Sequence, residues 1–226
     1  MKILVLNGSP KIKSDTMRMT KSFLDGFSEN TECEITIIDV IKKNIKPCTV
    51  CFMCWKNGDG KCVQKDDQNE ILSKILESDV ILWSFPLYCY SMPSHLKAVV
   101  DRLIPLCRLT MREENGRISH ELLFDLSRKK YIVFSGSGFP NWEGNFEGLR
   151  LQMINNFGNP IMVFVPETPL LNIPEAAPVA QMLLEKFRLA GEEFARTDTL
   201  LPETIRALET PMIPKETYLA RTNASM

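Results

Sequence analysis

Four cysteines lie close together in the polar segment of residues 47–62, which reads PCTVCFMCWKNGDGKC. Cys48, Cys51, Cys54 and Cys62 follow the spacing C-x2-C-x2-C-x7-C. Two-residue intervals let a loop turn successive sulfurs toward one centre, as in compact iron–sulfur ligand runs. Structural zinc sites usually take their ligands as two separated pairs, which this series fits less well. The residues therefore leave three alternatives open: a [4Fe–4S] cluster, a metal-free thiol loop, and a zinc ion or disulfide pair.

A loop rich in hydroxyl groups, NGSPKIKSDTMRM, follows the first apolar run of the chain at residues 7–19. Ser9, Ser14 and Thr16 stand where the next helix would present unpaired backbone N–H groups, and nearby lysines add positive charge. A helix start of this kind predicts a phosphate cradle. The alternative is that Ser14 and Asp15 only cap the helix. The loop matches neither the ATP-binding nor the dinucleotide-binding glycine motif, so it favours a mononucleotide phosphate.

Two further loops carry residues suited to holding a flat ring. The loop FPLYCYSMP contains four side chains of suitable shape: Pro86, Tyr88, Tyr90 and Met92. A heteroaromatic ring can lie against such side chains and the adjoining backbone. The later loop SGSGFP contains Gly136 and Gly138, and glycine allows a backbone to approach a ligand closely. A packed aromatic loop and an ordinary turn are the alternatives for these two stretches.

These loops need a scaffold, and the periodicity of the chain predicts one. A continuous apolar run at residues 2–6 predicts a strand buried on both faces, and residues 34–40, 79–84, 130–138 and 160–166 are predicted as four further strands. Helical spacing predicts helices at residues 17–27, 67–77, 94–106, 146–157 and 179–197, with a short one from Pro202. Asp67 and Glu70 read as a capping box. The alternation predicts an α/β fold with a doubly wound, five-stranded parallel sheet, which binds ligands beyond the carboxyl ends of its strands.

Three segments stand outside this alternation. Residues 46–66 are predicted as a cysteine-rich insertion after the second strand, and residues 110–125 as an irregular polar excursion. The end of the chain carries Pro211 and Pro214 and is predicted as an extended arm. We therefore expect one domain at residues 1–200 and a C-terminal helix and arm at residues 201–226.

Charge and hydropathy limit the kinds of binding partner and the cellular compartment that we expect for this protein. A net charge of −1 and a pI near 6.2 give no electrostatic case for binding nucleic acid or an anionic membrane, which favours a small-molecule partner. The first apolar run is too short for a signal peptide, and no run approaches about 18 apolar residues. We therefore expect a cytoplasmic protein, in which disulfides are rare.

The first two loops together resemble the flavodoxin-like NAD(P)H-dependent FMN reductase family. The resemblance rests on GSPKIKSDT and PLYCYSMPSHLKAVVDR, with a glycine-rich third loop. It implies strand order 2-1-3-4-5, FMN as cofactor and NAD(P)H as co-substrate. It also implies phosphate contacts from Ser9, Lys11, Ser14, Asp15 and Thr16, and ring contacts from Pro86, Leu87, Tyr88, Cys89 and Met92, followed by Ser137 and Gly138. Asp15 departs from the asparagine or glycine expected there, and a carboxylate beside a phosphate is unfavourable unless it turns away or caps the helix.

The cysteine spacing is similar to that of the iron–sulfur flavoprotein branch of the same fold. That likeness implies a [4Fe–4S] cluster on Cys48, Cys51, Cys54 and Cys62. The stretch GKC…KDD and the C-terminal tail instead resemble plainer flavin reductases, which leaves the metal-free thiol loop open.

The resemblance also implies an activity. The expected function is passage of electrons from NAD(P)H through FMN to a quinone, a nitro or azo compound, or an electron carrier. The alternative is an iron–sulfur flavoprotein that transfers electrons with ferredoxin-like partners, and a third is a thiol or metal sensor without flavin. The resemblance further implies a homodimer or homotetramer, in which Tyr88, residues 110–125 and the C-terminal arm complete a neighbouring site.

Overall fold

The computed structural model describes residues 1–114 and 116–224. Its strands are β1 (Lys2–Asn7), β2 (Glu34–Asp39), β3 (Val80–Pro86), β4 (Cys107–Glu114), β5 (Arg117–Leu122), β6 (Lys130–Gly136) and β7 (Ile161–Val165). Its helices are α1 (Asp15–Ser28), α2 (Met53–Asn57), α3 (Gln68–Glu77), α4 (Ser94–Asp101), α5 (Glu147–Phe157), α6 (Ala177–Thr197), α7 (Pro202–Glu209) and α8 (Lys215–Ala224). Short 3-10 turns lie at Val40–Lys42, Ile104–Leu106, Thr168–Asn172 and Pro174–Ala176.

Five of the strands form one parallel sheet in the order β2-β1-β3-β6-β7. Counted within the sheet alone, this is the predicted order 2-1-3-4-5, so the α/β flavodoxin-like architecture is confirmed. Ile3 of β1 pairs with Ile35 on one side and Val80 on the other, which places β1 inside the sheet. The carboxyl ends of β1, β3 and β6 therefore meet at one edge, where the predicted ligand loops begin.

Strands β1, β3, β6 and β7 are buried on both faces because they are apolar at successive positions, whereas the edge strand β2 is largely exposed. Ile3 and Val5 face one core cluster with α1 and α6, whereas Leu4 and Leu6 face the other, with α3, α4 and α5. Helices α1 and α6 cross so closely that a Cβ atom on Gly26 would lie 1.9 Å from the backbone oxygen of Arg188. Only glycine permits that approach.

Residues 107–114 and 117–122 form two paired strands, so the prediction of an irregular excursion over residues 110–125 is wrong; residue 115 of that range lies outside the described residues. Strands β4 and β5 pair as an antiparallel hairpin, with Met111 opposite His120 and Glu113 opposite Ile118. Gly116, at φ 76°, allows the left-handed backbone of the turn. Apolar and polar residues alternate along β4, but both faces of the hairpin are largely exposed. The alternation along β4 was the available signal in the sequence, but the hairpin lacks the continuous apolar run that marks a buried strand such as β1.

The predicted helix over residues 94–106 ends earlier than expected. Helix α4 stops at Asp101, and a 3-10 turn follows at Ile104–Leu106. Pro105 explains the break, because proline lacks an N–H group and disfavours helical geometry in the residue before it.

The C-terminal arm is helical, and the prediction of an extended segment is wrong. Helix α8 follows Pro214 directly, and the N–H group of Tyr218 donates to the carbonyl of Pro214 over 3.0 Å. Proline before a helix is compatible with the free N–H positions of its first turn. The predicted helix from Pro202 is confirmed as α7. Ser225 and Met226, the last residues of the predicted arm, lie outside the described residues.

Asp67 is the N-cap of α3 as predicted, but no capping box forms there. Its carboxylate accepts from the N–H group of Asn44 over 2.7 Å, and Glu70 pairs with Lys43. Both side chains therefore fasten the preceding loop to the helix. In the part of the chain described, no helix has the length and apolar character needed to span a bilayer.

Candidate functional site

A cleft of about 200 Å³ opens at the carboxyl ends of β1, β3 and β6. It is lined by Ser9, Lys11, Asp15, Thr16, Pro86, Leu87, Tyr88, Gly136, Ser137, Gly138, Thr168 and Pro169. The three loops singled out in the sequence therefore converge on one cleft, with a fourth contribution from the turn after β7.

The first loop is held rigidly at the start of α1. The amide side chain of Asn7 accepts from the Ser9 N–H group over 3.0 Å and donates to Asp39 over 2.9 Å. The Nε2 atom of His95 lies 2.9 Å from the carbonyl oxygen of Gly8, to which its N–H donates. Ser14 is the N-cap, and its hydroxyl accepts from the N–H of Met17 over 3.1 Å. Helix geometry leaves the N–H groups of the two residues before Met17 without intrahelical partners.

Asp15 is fixed in the cleft by two partners. Its carboxylate accepts from the ammonium of Lys11 over 3.1 Å and from the side-chain amide of Asn172. The Asp15 side chain is only 11% exposed, whereas that of Lys11 is 57% exposed. The unexpected acid therefore neither points into solvent nor caps α1 through its oxygen, and it remains part of the cleft wall.

The second loop ends in a strained turn. Tyr88 and Ser91 exchange two backbone hydrogen bonds of 2.9 Å each, and the residues between them, Cys89 and Tyr90, have φ values of 47° and 62°. A two-residue turn with positive φ at both central positions normally uses Asn or Gly. The Tyr90 ring stacks on Phe139 with ring centroids 6.2 Å apart, which joins the second loop to the third.

The third loop is packed against the turn that follows β7. A Cβ atom on Gly136 would lie 2.4 Å from the side chain of Thr168, so a larger residue cannot stand there. The N–H group and the hydroxyl of Thr168 both donate to the Ser137 carbonyl, over 2.9 and 3.1 Å. The phenol of Tyr218 in α8 donates to the Gly138 carbonyl over 2.8 Å. The C-terminal helix therefore fastens a loop of the cleft.

Most, but not all, of the residues predicted to contact FMN line the cleft. Nine of the twelve predicted residues line the cleft: Ser9, Lys11, Asp15, Thr16, Pro86, Leu87, Tyr88, Ser137 and Gly138. Ser14 is buried as the helix cap, Cys89 is exposed in the turn and Met92 is buried in the core. Thr168 and Pro169 were missed, because they belong to no recognisable motif. Their position at the carboxyl end of the last sheet strand was the available signal.

The lining suits a flavin mononucleotide. Its wall includes the first turn of α1 with nearby hydroxyls and Lys11, and also Pro86, Leu87 and the aromatic ring of Tyr88. The N–H groups of that turn, the hydroxyls and Lys11 suit an anionic phosphate. The proline, leucine and tyrosine side chains suit a flat ring. That these residues bind FMN stays a prediction.

All four cysteines of the spaced motif line a second, smaller pocket. They lie on the segment between β2 and α3 and on α2, and each is a free thiol. Backbone hydrogen bonding from Met53 lowers the pKa of Cys51, whereas burial raises the pKa of Cys54. The donor set has the right chemistry for an iron–sulfur cluster. Within residues 1–114 and 116–224, however, no three Cys, His, Asp or Glu side chains are arranged to hold a metal ion.

A buried ion pair supports this cysteine pocket. The guanidinium of Arg102 donates to the carboxylate of Asp66 over 2.5 and 2.9 Å and to the Sγ atom of Cys62 over 3.1 Å. The Arg102 and Asp66 side chains are 1% and 0% exposed. Burial works to raise the pKa of Asp66, but its hydrogen bonds with Arg102 and with backbone N–H groups hold it below its usual value.

The family model for NADPH-dependent FMN reductases matches residues 1–117. The chain belongs to the NADPH-dependent FMN reductase family. The part of the chain that matches this FMN reductase model contains the first two loops of the cleft and the four cysteines of the second pocket. The third loop and the turn after β7 lie after the matched stretch.

Two archaeal relatives are similar to about half of this FMN reductase family chain. An iron–sulfur flavoprotein of Methanocaldococcus jannaschii is 34% identical over 106 residues, covering 47% of this chain and 53% of the relative. An iron–sulfur flavoprotein of Archaeoglobus fulgidus is 30% identical over 105 residues, covering 46% of each. The chain therefore spans only about half the length of these curated relatives.

Solved structures support the fold of this FMN reductase family chain. An azoreductase from Bacillus anthracis aligns with a TM-score of 0.64 and 17% identity, covering 86% of this chain and 100% of its own. An NAD(P)H:quinone oxidoreductase from Methanothermobacter marburgensis aligns with a TM-score of 0.61 and 18% identity, covering 86% and 96%. At such low identity the likeness speaks for the architecture and not for the substrate.

Proposed function

We propose that this protein is an FMN-dependent NAD(P)H oxidoreductase that passes electrons to a quinone, a nitro or azo compound, or an electron carrier. The observation that carries the proposal is one cleft lined both by the start of α1 and by Pro86, Leu87 and Tyr88. Membership of the FMN reductase family supports the choice of flavin.

In this proposal the protein positions the cofactor. Bound FMN would supply hydride acceptance from the nicotinamide and delivery of electrons to the acceptor. The N–H groups at the start of α1 and the hydroxyls of Ser9 and Thr16 would hold the phosphate. Pro86, Leu87 and Tyr88 would orient the ring, and the third loop at Ser137 and Gly138 would approach its edge. No side-chain acid or base is required for hydride transfer, so none is assigned.

Flavin titration and turnover test this proposal directly. We expect the purified protein to bind FMN and to oxidise NADH or NADPH when a quinone or azo dye is present. Thr16→Val removes a hydroxyl that this proposal assigns to the phosphate, and should weaken FMN binding about five- to tenfold. Thr199→Val, an exposed position far along the chain, is the matched control and should bind as the wild type does. Absence of flavin binding, or of turnover with every quinone and dye, would contradict the proposal.

A second candidate is an iron–sulfur flavoprotein that transfers electrons with ferredoxin-like partners. It is favoured by the convergence of Cys48, Cys51, Cys54 and Cys62 on one pocket beside Arg102, and by relatives that carry this name. These four thiols would be the ligands of a [4Fe–4S] cluster. The N–H group of Arg102 that reaches Cys62 is the kind of donor that tunes a cluster sulfur.

Anaerobic purification separates the two candidates. A cluster predicts roughly four iron and four sulfide per chain. Cys54→Ser should lose the iron and keep flavin binding, whereas Cys33→Ser, outside the pocket, should keep both. If the wild type contains flavin but no iron, the four cysteines form a metal-free thiol loop and the second candidate is excluded.

We also propose a homodimer or homotetramer. The β4–β5 hairpin exposes Leu109, Met111 and Ile118 to between 63% and 67%, which supports a contact between copies. Light scattering of the wild type should give a multiple of 25.8 kDa, and Met111→Glu should shift it toward the monomer. A monomeric wild type would contradict this proposal.

A further inference from the structure

Asp15 places a negative charge in the same helical turn that forms the phosphate cradle. It is the first residue of α1, it lines the cleft, and its side chain is 11% exposed. A phosphate bound at this helix start would therefore lie beside a carboxylate. The negative charges of the carboxylate and the phosphate would repel each other, and the repulsion is stronger where water is partly excluded.

The structure also shows why the carboxylate stays in the cleft. The amide of Asn172, which lies in the turn after β7, donates to Asp15 and also to the Lys13 carbonyl, the latter over 3.3 Å. A side chain held from a separate loop cannot rotate away without breaking that contact. Asn172 thus holds Asp15 in the wall of the cleft, in the helical turn that would receive the phosphate.

The ammonium of Lys11 pairs with Asp15 and would also pair with a bound phosphate. It lies 3.1 Å from Asp15, but the Lys11 side chain is 57% exposed. Exposed ion pairs of this kind are weak, so the ammonium can move to an incoming phosphate. Asp15 then keeps only Asn172 as a partner, and its charge is no longer balanced by Lys11.

We propose that Asp15 is a specificity-determining residue that lowers the preference of the cleft for phosphorylated over unphosphorylated flavin. The inference rests on the proposed function, since it concerns the flavin of that same cleft. Its consequence is that FMN is held weakly and exchanges with solution. A helix-stabilising role for an acid in the first turn is the competing explanation, and it would alter stability without altering the ratio of FMN to riboflavin affinity.

The experiment measures the dissociation constants of FMN and riboflavin by quenching of flavin fluorescence. Asp15→Asn keeps the shape of the side chain and removes its charge, and should tighten FMN binding about tenfold while riboflavin changes less than about twofold. The gain should shrink in about 1 M salt, because screening acts on the charge and not on packing. Asp25→Asn is the matched control: it removes the same charge from an exposed position of α1 and should leave both constants unchanged.

Each other result bears on the inference. Unchanged or weaker FMN binding by Asp15→Asn, with riboflavin still bound, overturns it, and so does equal tightening of both flavins. Asp15→Ser is the second variant and should show the same gain; loss of folding in both variants would assign Asp15 to stability and overturn the inference. If neither flavin binds the wild type or Asp25→Asn, the proposed function fails, and the inference fails with it.

Discussion

Arg102 carries a full charge into the interior beside the cysteine pocket. Its guanidinium reaches the Asp66 carboxylate, the Lys46 carbonyl and the Cys62 sulfur, so that its bonds join α4 to the segment after β2. Burying such a pair is costly, but removing one partner costs more, because the other charge is then left unpaired.

Arg102→Met tests this pairing. We expect the free energy of unfolding to fall by about 3–5 kcal/mol, because Asp66 would be buried without a counter-charge. Adding Asp66→Asn should recover part of the loss. Arg112→Met, in an exposed pair with Glu114, is the matched control and should change stability by less than about 0.5 kcal/mol in urea unfolding. Equal effects of Arg102→Met and Arg112→Met would contradict the expectation.

The backbone of Cys89 adopts a conformation that is unfavourable for a residue with a side chain. Its φ of 47° is unfavourable for any side chain with a Cβ atom, and Cys89 is exposed, so its side chain is not needed for the core. Cys89→Gly should therefore raise the free energy of unfolding by about 1 kcal/mol. Thermal unfolding measures the effect. Ser91→Gly, where the backbone has no positive φ, should instead lower stability, and a loss in both variants would argue against strain at Cys89.

At the scale of elements, α8 is joined to the third loop of the cleft. Tyr218 is buried and its phenol donates to the Gly138 carbonyl over 2.8 Å, while Leu170 and Ala176 pack around the same ring. A C-terminal helix thereby restricts a loop that belongs to the proposed flavin site.

Tyr218→Phe isolates this contact. Removing the hydroxyl leaves the Gly138 carbonyl without its donor, so we expect a loss of about 1 kcal/mol in the free energy of unfolding and weaker flavin binding. Leu219→Ala on the exposed face of α8 controls for a general effect on the helix and should leave flavin binding unchanged. Flavin affinity equal to that of the wild type in Tyr218→Phe would show that α8 does not restrict the loop.

At the scale of the whole molecule, one buried acid connects the sheet to the C-terminal segment. Glu167 follows β7, is fully buried, and accepts from the N–H groups of Met212 and Ile213 over 2.7 and 3.1 Å. Its other oxygen has no hydrogen-bond partner among the described residues. Burial raises the pKa of Glu167 above its ordinary value of 4.5, despite the two backbone bonds.

This raised pKa gives stability a defined pH dependence. Because the folded state holds the proton more tightly than the unfolded state, the contribution of Glu167 is complete below pH 4.5 and is lost as the pH rises through the folded pKa. Glu167→Gln should therefore match the wild type near pH 4.5 and be more stable than it at pH 8, as measured by urea unfolding. Glu216→Gln, exposed on α8, should show no such change. A wild type that loses no stability relative to Glu167→Gln as the pH rises would refute this assignment.

The architecture was predictable because it depends on local patterns. Strands such as β1 and β7 coincide with short continuous apolar runs, and helix starts carry their own signals, such as Ser14 before α1. The hairpin β4–β5 and helix α8 were not predictable in this way. Both are largely exposed, so neither has the wide buried face that packing against a core produces, and the alternation along β4 is short.

Local patterns in the sequence predicted the fold class and placed three loops at one edge of the sheet, because parallel strands end at the same edge. The set of residues expected to line the cleft came from the resemblance to the FMN reductase family and not from periodicity. Tertiary structure alone decided that Asn172 holds Asp15, that Thr168 and Pro169 complete the cleft, and that Arg102 supports the cysteine pocket. Each of these depends on contacts between residues far apart in the chain. Such contacts are fixed when packed elements bring the side chains together, and no local pattern encodes them.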